Sequence, residues 1–110
     1  MNVLDLFSGC GGLSSGFKLA GFNITGGIDI DHDCTKTFQM NFPKSKAVHG
    51  NLLEFSDDRI LEDFDDKSID IIVGGPPCQG FSSANRWQKE KSDPRNKLFF
   101  EYLRFVELLK

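Results

Sequence analysis

The segment NVLDLFSGCGG (residues 2–12) decides the fold of this chain. Its first half is a short apolar run, which predicts a buried strand over 2–7. Its second half is rich in glycine, which tolerates the backbone angles of a tight turn and lets a ligand approach the main chain closely. The turn leads into a helical pattern, and the backbone N–H groups at a helix start favour an anion. The segment therefore predicts a strand, a ligand-binding turn and a helix in succession.

Strand and helix patterns alternate along the rest of the chain. The first helix places Leu13, Phe17 and Ala20 on one face and is predicted to end at Gly21. Further strands are predicted over 22–30, 46–51 and 69–73. Further helices are predicted over 33–41, around 60–64, and from Pro94 onward with Asp93 as its cap. This order predicts an α/β fold with a doubly wound, mainly parallel sheet and helices on both faces.

The predicted core positions of two helices follow from their apolar spacing. In helix 33–41 they are Thr37, Phe38 and Met40. In the last helix they are Leu98, Phe99, Tyr102, Val106 and Leu109.

Composition excludes several classes of protein. Hydrophobic residues make up 39% of the 110 residues and the formal net charge is −3. This is a globular composition, and no apolar run approaches the roughly 20 residues of a membrane span. No secretion signal precedes the first strand. We therefore expect a soluble, cytoplasmic protein with no membrane partner. Acidic residues dominate 57–70 and basic residues dominate 86–97, and on charge alone each stretch is most simply a solvated face.

The three cysteines, Cys10, Cys34 and Cys78, show no paired spacing. An odd number of cysteines without a secretion signal predicts reduced thiols. No metal site is expected, because the chain has no CxxC motif and His32 and His49 do not make a ligand spacing. Cys10 and Cys34 are interpreted as small buried apolar residues.

The glycine-rich turn and Asp29 together predict a nucleotide-like ligand. Ligands of doubly wound sheets bind outside the carboxyl ends of the strands, and Asp29 ends the second strand, where an acid accepts hydrogen bonds from a ribose. A dinucleotide fingerprint would need a third glycine at Ser14, which is absent. A tight turn without a ligand and a nucleotide-dependent oxidoreductase remain alternatives at this point.

Cys78 differs in its surroundings from the other two cysteines. It follows the strongest predicted strand in GGPPCQGFS (residues 74–82), where Pro76 and Pro77 stiffen the approach. The thiol is therefore expected on a rigid turn at the ligand edge of the sheet. From position alone, a nucleophile and a structural cysteine are both open.

Three motifs, taken together, carry a family resemblance. DLFSGCGG (5–12), GGPPCQGFS (74–82) and SDPRNKLFF (92–100), in this order and spacing, resemble the DNA (cytosine-5) methyltransferases. The resemblance extends over 2–110 and implies a Rossmann-like, S-adenosylmethionine-dependent methyltransferase fold. The resemblance accounts for the segment PPCQGFS, which the oxidoreductase alternative leaves unexplained.

The resemblance assigns Cys78 as the catalytic nucleophile, which adds to C6 of a cytosine so that C5 accepts a methyl group from S-adenosylmethionine. The thiolate is the attacking form. The resemblance also implies a set of cofactor-binding positions: Phe7, Gly9, Gly11, Asp29, Ile30, Asn51, Leu52, Pro76 and Leu98.

Double-stranded DNA with a flipped cytosine is the implied partner, because the target atoms lie inside the duplex. By the resemblance, Ser82 and the loop through Lys91 close over DNA and Arg95 is available to a phosphate. The basic stretch 86–97 then gains a function, since such residues contact the backbone of DNA.

Two departures from the family pattern stand out. Asn51 occupies a position where the family usually has Asp, which accepts a hydrogen bond from the adenine amino group; an amide carbonyl can accept the same bond. The ring-protonating Glu and the target-recognition region of the family do not occur in these 110 residues. We therefore expect the N-terminal part of a catalytic domain, whose remainder is a missing C-terminal part or a complementary subunit. A prokaryotic restriction-modification enzyme is the expected source, and a cofactor-binding fragment that is inactive alone is the alternative.

Overall fold

A computed structural model describes residues 1–75 and 97–110. Its strands are β1 (Asn2–Leu6), β2 (Asn23–Asp29), β3 (Lys46–His49) and β4 (Ile71–Val73). Its helices are α1 (Gly12–Leu19), α2 (His32–Asn41), α3 (Asp57–Phe64) and α4 (Lys97–Leu109). Short 3₁₀ turns lie at Leu52–Glu54 and Asp65–Lys67.

The strands of the described region form one parallel sheet in the order β3-β2-β1-β4. The chain therefore starts in the middle of the sheet, moves to one edge, and then crosses to the other side of β1. The doubly wound topology predicted from the sequence is confirmed. Because all strands run in the same direction, their carboxyl ends meet along one edge of the sheet.

Apolar clusters cover both faces of the sheet. On one face Leu4, Leu6 and Ile28 pack with Phe64 of α3 and Phe105 of α4. On the other face Val3 and Ile24 pack with two phenylalanines of the α2 region, Phe38 and Phe42. The helices thus form a layer on each side, which is the arrangement that buries both faces of a parallel sheet.

A β-bulge at Thr25 interrupts β2. Val3 pairs with Ile24 but Leu4 pairs with Gly26, so that Thr25 has no partner on β1. Its Oγ1 is buried and has no hydrogen-bond partner within the described part of the protein. Side chains alternate between the faces of a regular strand, and the extra residue reverses that alternation. This is why Ile24 and Ile28 lie in different clusters.

The predicted core faces of α1 and α2 were wrong in part. Ser14 is buried in α1 while Leu13 is 50% exposed and Ala20 is exposed, because Ser14 bonds to a buried group of β1. In α2, Thr35 and Phe38 face inward, whereas Thr37 is exposed and Met40 is 79% exposed. Met40 lies two residues beyond Phe38, which places it on the opposite side of a helix.

Helix α4 is described from Lys97, so its predicted start at Asp93 and Pro94 lies outside the described residues. Leu109 is buried as predicted, and Leu98, Phe99 and Tyr102 are half-buried. Phe105 is fully buried in place of the predicted Val106, which is 38% exposed. No helix in residues 1–75 or 97–110 is long and apolar enough to cross a bilayer.

Candidate functional site

The ends of adjacent strands bring most of the predicted cofactor residues that the structure describes to one edge of the sheet. Phe7 and Gly9 follow β1, Asp29 ends β2 and Ile30 follows it, and Asn51 follows β3. The backbone joins these ends directly. Ser8 N donates to the Ile28 carbonyl at 2.9 Å, and Gly50 N donates to the Asp29 carbonyl at 2.9 Å.

The loop between β1 and α1 is held in an unusual backbone conformation. Phe7 has φ 58°, Gly9 has φ 55° and Gly11 has φ 102°. A positive φ in a bulky residue such as Phe7 is uncommon and concentrates at ligand-binding and active sites. A Cβ atom at Gly11 would lie 2.6 Å from Phe42 Cε2, so glycine is required there by space as well as by angle. The loop therefore lies tightly against α2.

Asp29 connects this loop to the end of β2. Its Oδ2 accepts a hydrogen bond from Gly9 N at 2.8 Å, and its Oδ1 accepts one from Asp31 N at 2.8 Å. The cap of α2 is Asp31, whose Oδ1 accepts from Cys34 N at 3.0 Å. Asp29 is thus free of a helix-capping role. A carboxylate offers about four acceptor positions, so two remain for hydroxyl groups of a ligand.

Asp5 is a buried carboxyl group that the sequence did not single out. It is 1% exposed, and Ser14 Oγ donates to its Oδ2 at 2.5 Å. Burial raises the pKa of Asp5 to about 6, the hydrogen bond from Ser14 acts in the opposite direction, and the charge of Asp29 raises it further. The pair joins β1 to α1 across the glycine-rich loop. Ser14 therefore has a structural use at the position where a dinucleotide fingerprint has glycine.

Asn51 and Leu52 lie at the end of β3 with different exposures. Asn51 is half-buried, and its Oδ1 accepts from Leu53 N at 3.0 Å, which begins the 3₁₀ turn. The Leu52 side chain is buried in the core, and its carbonyl accepts from Arg104 Nη2 at 3.1 Å. A ligand at this point would meet the Asn51 side chain and the backbone of Leu52.

Arg104 fastens α4 to this turn. Besides Leu52, its guanidinium contacts Asp57 Oδ1 at 2.7 Å and the carboxylate of Glu101. The hydrogen bonds and charges of these carboxylates raise the pKa of Arg104, although its burial acts in the opposite direction. No local pattern predicts this contact, because Arg104 and Leu52 are 52 residues apart.

The end of β4 lies directly against β1. Gly74 has φ 145°, and a Cβ atom there would lie 2.0 Å from the Leu6 carbonyl oxygen, so only glycine fits. Tyr102 of α4 donates its hydroxyl hydrogen to the Ile72 carbonyl at 2.9 Å, and Leu98 packs against the same core. The predicted nucleophile Cys78, Pro76, Ser82 and Arg95 lie outside the described residues.

The prediction that Cys10 and Cys34 are buried apolar residues was wrong. Cys10 is exposed and Cys34 is half-buried, and both are free thiols. Their Sγ atoms lie 3.4 Å apart. Sequence spacing concealed the pair because the fold, and not a local motif, brings the loop against α2. Within the part of the chain that the structure describes, no three Cys, His, Asp or Glu side chains converge as a metal site would require.

Fold and site together define a doubly wound α/β protein with a ligand edge built from a glycine-rich turn and an acid at the end of β2. A family model, C-5 cytosine-specific DNA methylase, matches residues 1–110. The chain belongs to this family.

Bacterial methyltransferases are among its relatives. The chain is 40% identical over 109 residues to the type II methyltransferase M1.HphI of Haemophilus parahaemolyticus, covering 98% of this chain and 29% of the relative. It is 44% identical over 108 residues to M.DdeI of Desulfomicrobium norvegicum, covering 97% of this chain and 25% of the relative. The chain thus spans between a quarter and a third of the length of these relatives.

A solved structure shares the fold. A prophage-encoded protein of E. coli, described as a DNA modification methyltransferase, superposes with a TM-score of 0.80 at 41% identity. The match covers 99% of this chain and 29% of that structure.

Proposed function

We propose that the protein is a DNA (cytosine-5) methyltransferase of a bacterial restriction-modification system. It transfers a methyl group from S-adenosylmethionine to C5 of a cytosine flipped out of double-stranded DNA. The observation that carries the proposal is the family match over residues 1–110, and the geometry of the strand ends supports it. Residues 1–110 are the N-terminal part of the catalytic domain in this proposal.

The described residues suit the three parts of the cofactor. The exposed Ile30 and the half-buried Phe7 offer apolar surface to the adenine, and Asp29 keeps acceptor positions for the ribose hydroxyls. Gly9 provides a close approach for the methionine end, since a Cβ atom there would meet no atom within 4 Å, and Gly11 holds the loop against Phe42 beside it. Asn51, the backbone of Leu52, Pro76 and Leu98 complete the proposed site. The bound cofactor supplies the methyl group.

The chemistry of the proposal depends on Cys78. Its thiolate forms a bond to C6 of cytosine and makes C5 nucleophilic, and loss of the C5 proton after methyl transfer expels the thiolate. Gly74 fixes the start of the segment that carries Cys78 against the end of β1. The proposed nucleophile and the proposed cofactor loop therefore begin from neighbouring strands. Ser82 and Arg95 are proposed DNA contacts.

The alternative is a fragment or split subunit that binds S-adenosylmethionine but methylates DNA only with a C-terminal partner. The observation in favour of this alternative is that the chain covers 25–29% of the length of these relatives. Adding a polypeptide that supplies the remaining family motifs separates the two: restoration of methyl transfer supports the split form.

Trapping on DNA that contains 5-fluorocytosine tests the main proposal in the complete enzyme. The fluorine cannot leave C5, so a covalent protein–DNA adduct accumulates. We expect an adduct with the wild type and none with Cys78→Ser, while both bind S-adenosylhomocysteine equally. An adduct of equal yield in the Cys78→Ser protein would contradict the assignment. Cys10→Ser is the matched control and should keep the adduct.

A further inference from the structure

Two thiols from distant parts of the sequence meet beside the proposed cofactor loop. Cys10 lies between Gly9 and Gly11, and Cys34 lies in the first turn of α2. Their Sγ atoms are 3.4 Å apart. A disulfide bond is about 2.05 Å long, so closing one requires an approach of roughly 1.4 Å. Cys10 is exposed, which gives small oxidants access to it.

Hydrogen bonds anchor the backbone of both cysteines. The Cys10 carbonyl accepts from Asn41 Nδ2 at 3.1 Å, which attaches the loop to the far end of α2. Cys34 N donates to the Asp31 side chain at 3.0 Å, which fixes the near end. Gly9 N donates to Asp29 at 2.8 Å. The thiols therefore meet because their backbones are anchored on both sides.

We propose that Cys10 and Cys34 form a redox-sensitive dithiol that closes to an intramolecular disulfide and ties the glycine-rich loop to α2. Disulfides in reducing compartments are usually transient or redox-sensing, and a near pair of accessible thiols is suited to that use. The proposal concerns residues other than Cys78 and stands apart from the proposed methyl transfer.

The environment gives the two thiols different roles. Contact with the Cys10 thiol raises the pKa of Cys34 to about 11, with further contributions from burial and from the charges of Asp31 and Asp29. Cys34 therefore keeps its proton at neutral pH, and the exposed Cys10 is the thiol that an oxidant reaches first.

With hydrogen peroxide as the oxidant, the steps balance. The Cys10 thiolate attacks one peroxide oxygen, the O–O bond breaks, and hydroxide leaves and takes a proton to become water. Cys34 then attacks the Cys10 sulfenic acid; the S–S bond forms, the S–O bond breaks, and a second water leaves with the Cys34 proton. Two thiols lose two electrons and one peroxide becomes two waters.

Peptide mapping of the wild-type protein tests the proposal without a substitution. The protein is treated with one equivalent of hydrogen peroxide, alkylated with N-ethylmaleimide, digested and analysed by mass spectrometry. We expect a cross-linked peptide pair containing Cys10 and Cys34, lighter by two hydrogens and separated by dithiothreitol. Both cysteines recovered as alkylated thiols, or Cys10 linked to Cys78 instead, would overturn the proposal.

Two variants test the assigned roles. In Cys34→Ser, the Cys10 sulfenic acid has no thiol to resolve it, so dimedone should label Cys10. In Cys10→Ser, dimedone should leave Cys34 unlabelled. Dimedone labelling of Cys34 in Cys10→Ser at the yield of Cys10 in Cys34→Ser would contradict the roles. Cys78→Ser is the matched control and should form the Cys10–Cys34 cross-link as the wild type does.

Discussion

At the scale of single residues, the strand-end carboxylate Asp29 has the most defined surroundings. It accepts backbone hydrogen bonds on both oxygens and has no part in capping α2. Its position at the end of β2 followed from the sequence pattern. Its bond to Gly9 could not be predicted, because it depends on how the loop turns after β1.

Replacing Asp29 with alanine is expected to weaken binding of S-adenosylhomocysteine. Hydrogen bonds to charged groups contribute about 1.5–3 kcal/mol, which corresponds to roughly a tenfold to hundredfold loss of affinity. Isothermal titration calorimetry measures the affinity for S-adenosylhomocysteine. Asp33→Ala is the control, since that side chain is exposed and lies in the first turn of α2, four residues after Asp29. Equal affinity of the Asp29→Ala protein and the wild type would remove Asp29 from the proposed site.

Replacing Asn51 with aspartate is expected to strengthen binding of S-adenosylhomocysteine. Its Oδ1 already accepts from Leu53 N. Aspartate keeps this bond with one oxygen and presents a charged acceptor with the other. Charged acceptors form hydrogen bonds roughly twice as strong as neutral ones. Asn51→Asp should therefore bind S-adenosylhomocysteine about threefold to tenfold more tightly. An analogue with oxygen in place of the adenine amino group should lose this gain; an equal gain with both ligands would contradict an adenine contact.

At the scale of the elements, order and direction were predictable from the sequence, and the orientation of the helices was not. The succession of elements along the chain and the parallel direction of the strands follow from alternating strand and helix patterns. The inward face of α1 depends on Ser14, which a hydrophobic pattern reads as a surface residue. In α2 the inward series is Thr35, Phe38 and the following Phe42, and Thr35 is again polar. Polar side chains that bond to buried groups are invisible to apolar periodicity.

The Asp5–Ser14 pair should make stability depend on pH. Because the pKa of Asp5 is raised to about 6 in the folded protein and is about 3.9 when unfolded, the folded state binds more protons between these values. Its contribution to the free energy of unfolding is therefore most favourable below about pH 4 and is lost as pH rises to about 6. Urea unfolding of the wild type and Asp5→Asn at pH 5 and pH 7 measures this.

The difference between wild type and variant isolates Asp5 from other titrating groups. From pH 7 to pH 5, the free energy of unfolding of the wild type should rise relative to that of Asp5→Asn. Ser14→Ala removes the hydrogen bond that lowers the Asp5 pKa, so it should extend the same dependence to higher pH. Parallel changes in the wild type and Asp5→Asn would show that Asp5 does not titrate in this range.

Arg104 should stabilise the packing of α4 on the 3₁₀ turn. Arg104→Gln removes contacts to Asp57, Glu101 and the Leu52 carbonyl, and should lower the free energy of unfolding by about 1–2 kcal/mol. Urea unfolding measures the change. Lys110→Gln is the control, because its ion pair with Glu107 is exposed and such pairs contribute about 0–1 kcal/mol. Equal effects of the two substitutions on the free energy of unfolding would show that the Arg104 contacts stabilise the fold no more than an exposed ion pair does.

At the scale of the whole molecule, residues 1–110 hold the proposed cofactor loop and nucleophile but cover only part of the length of the relatives. A polypeptide limited to these residues should transfer no labelled methyl groups to DNA, because positioned proton transfer to the cytosine ring contributes about 10²–10⁴-fold in rate. Mixing it with a polypeptide that carries the later family motifs should restore transfer. Sequence-specific methylation by residues 1–110 alone would contradict this expectation.

The bulge at Thr25 has a consequence for how this sequence tolerates change in length. It acts as a phase shift: after it, each side chain of β2 faces the side that its neighbour would otherwise occupy. If Thr25 paired with Leu4 instead, Ile28 would face away from the α3–α4 core and Asp29 away from Gly9. Deleting Thr25 would join Ile24 to Gly26, which already pair with the consecutive residues Val3 and Leu4, so the strand would become regular while Asp29 keeps its face. An apparently ordinary threonine near the amino end of β2 is thus a residue that the strand could lose while its other side chains stay on their present faces.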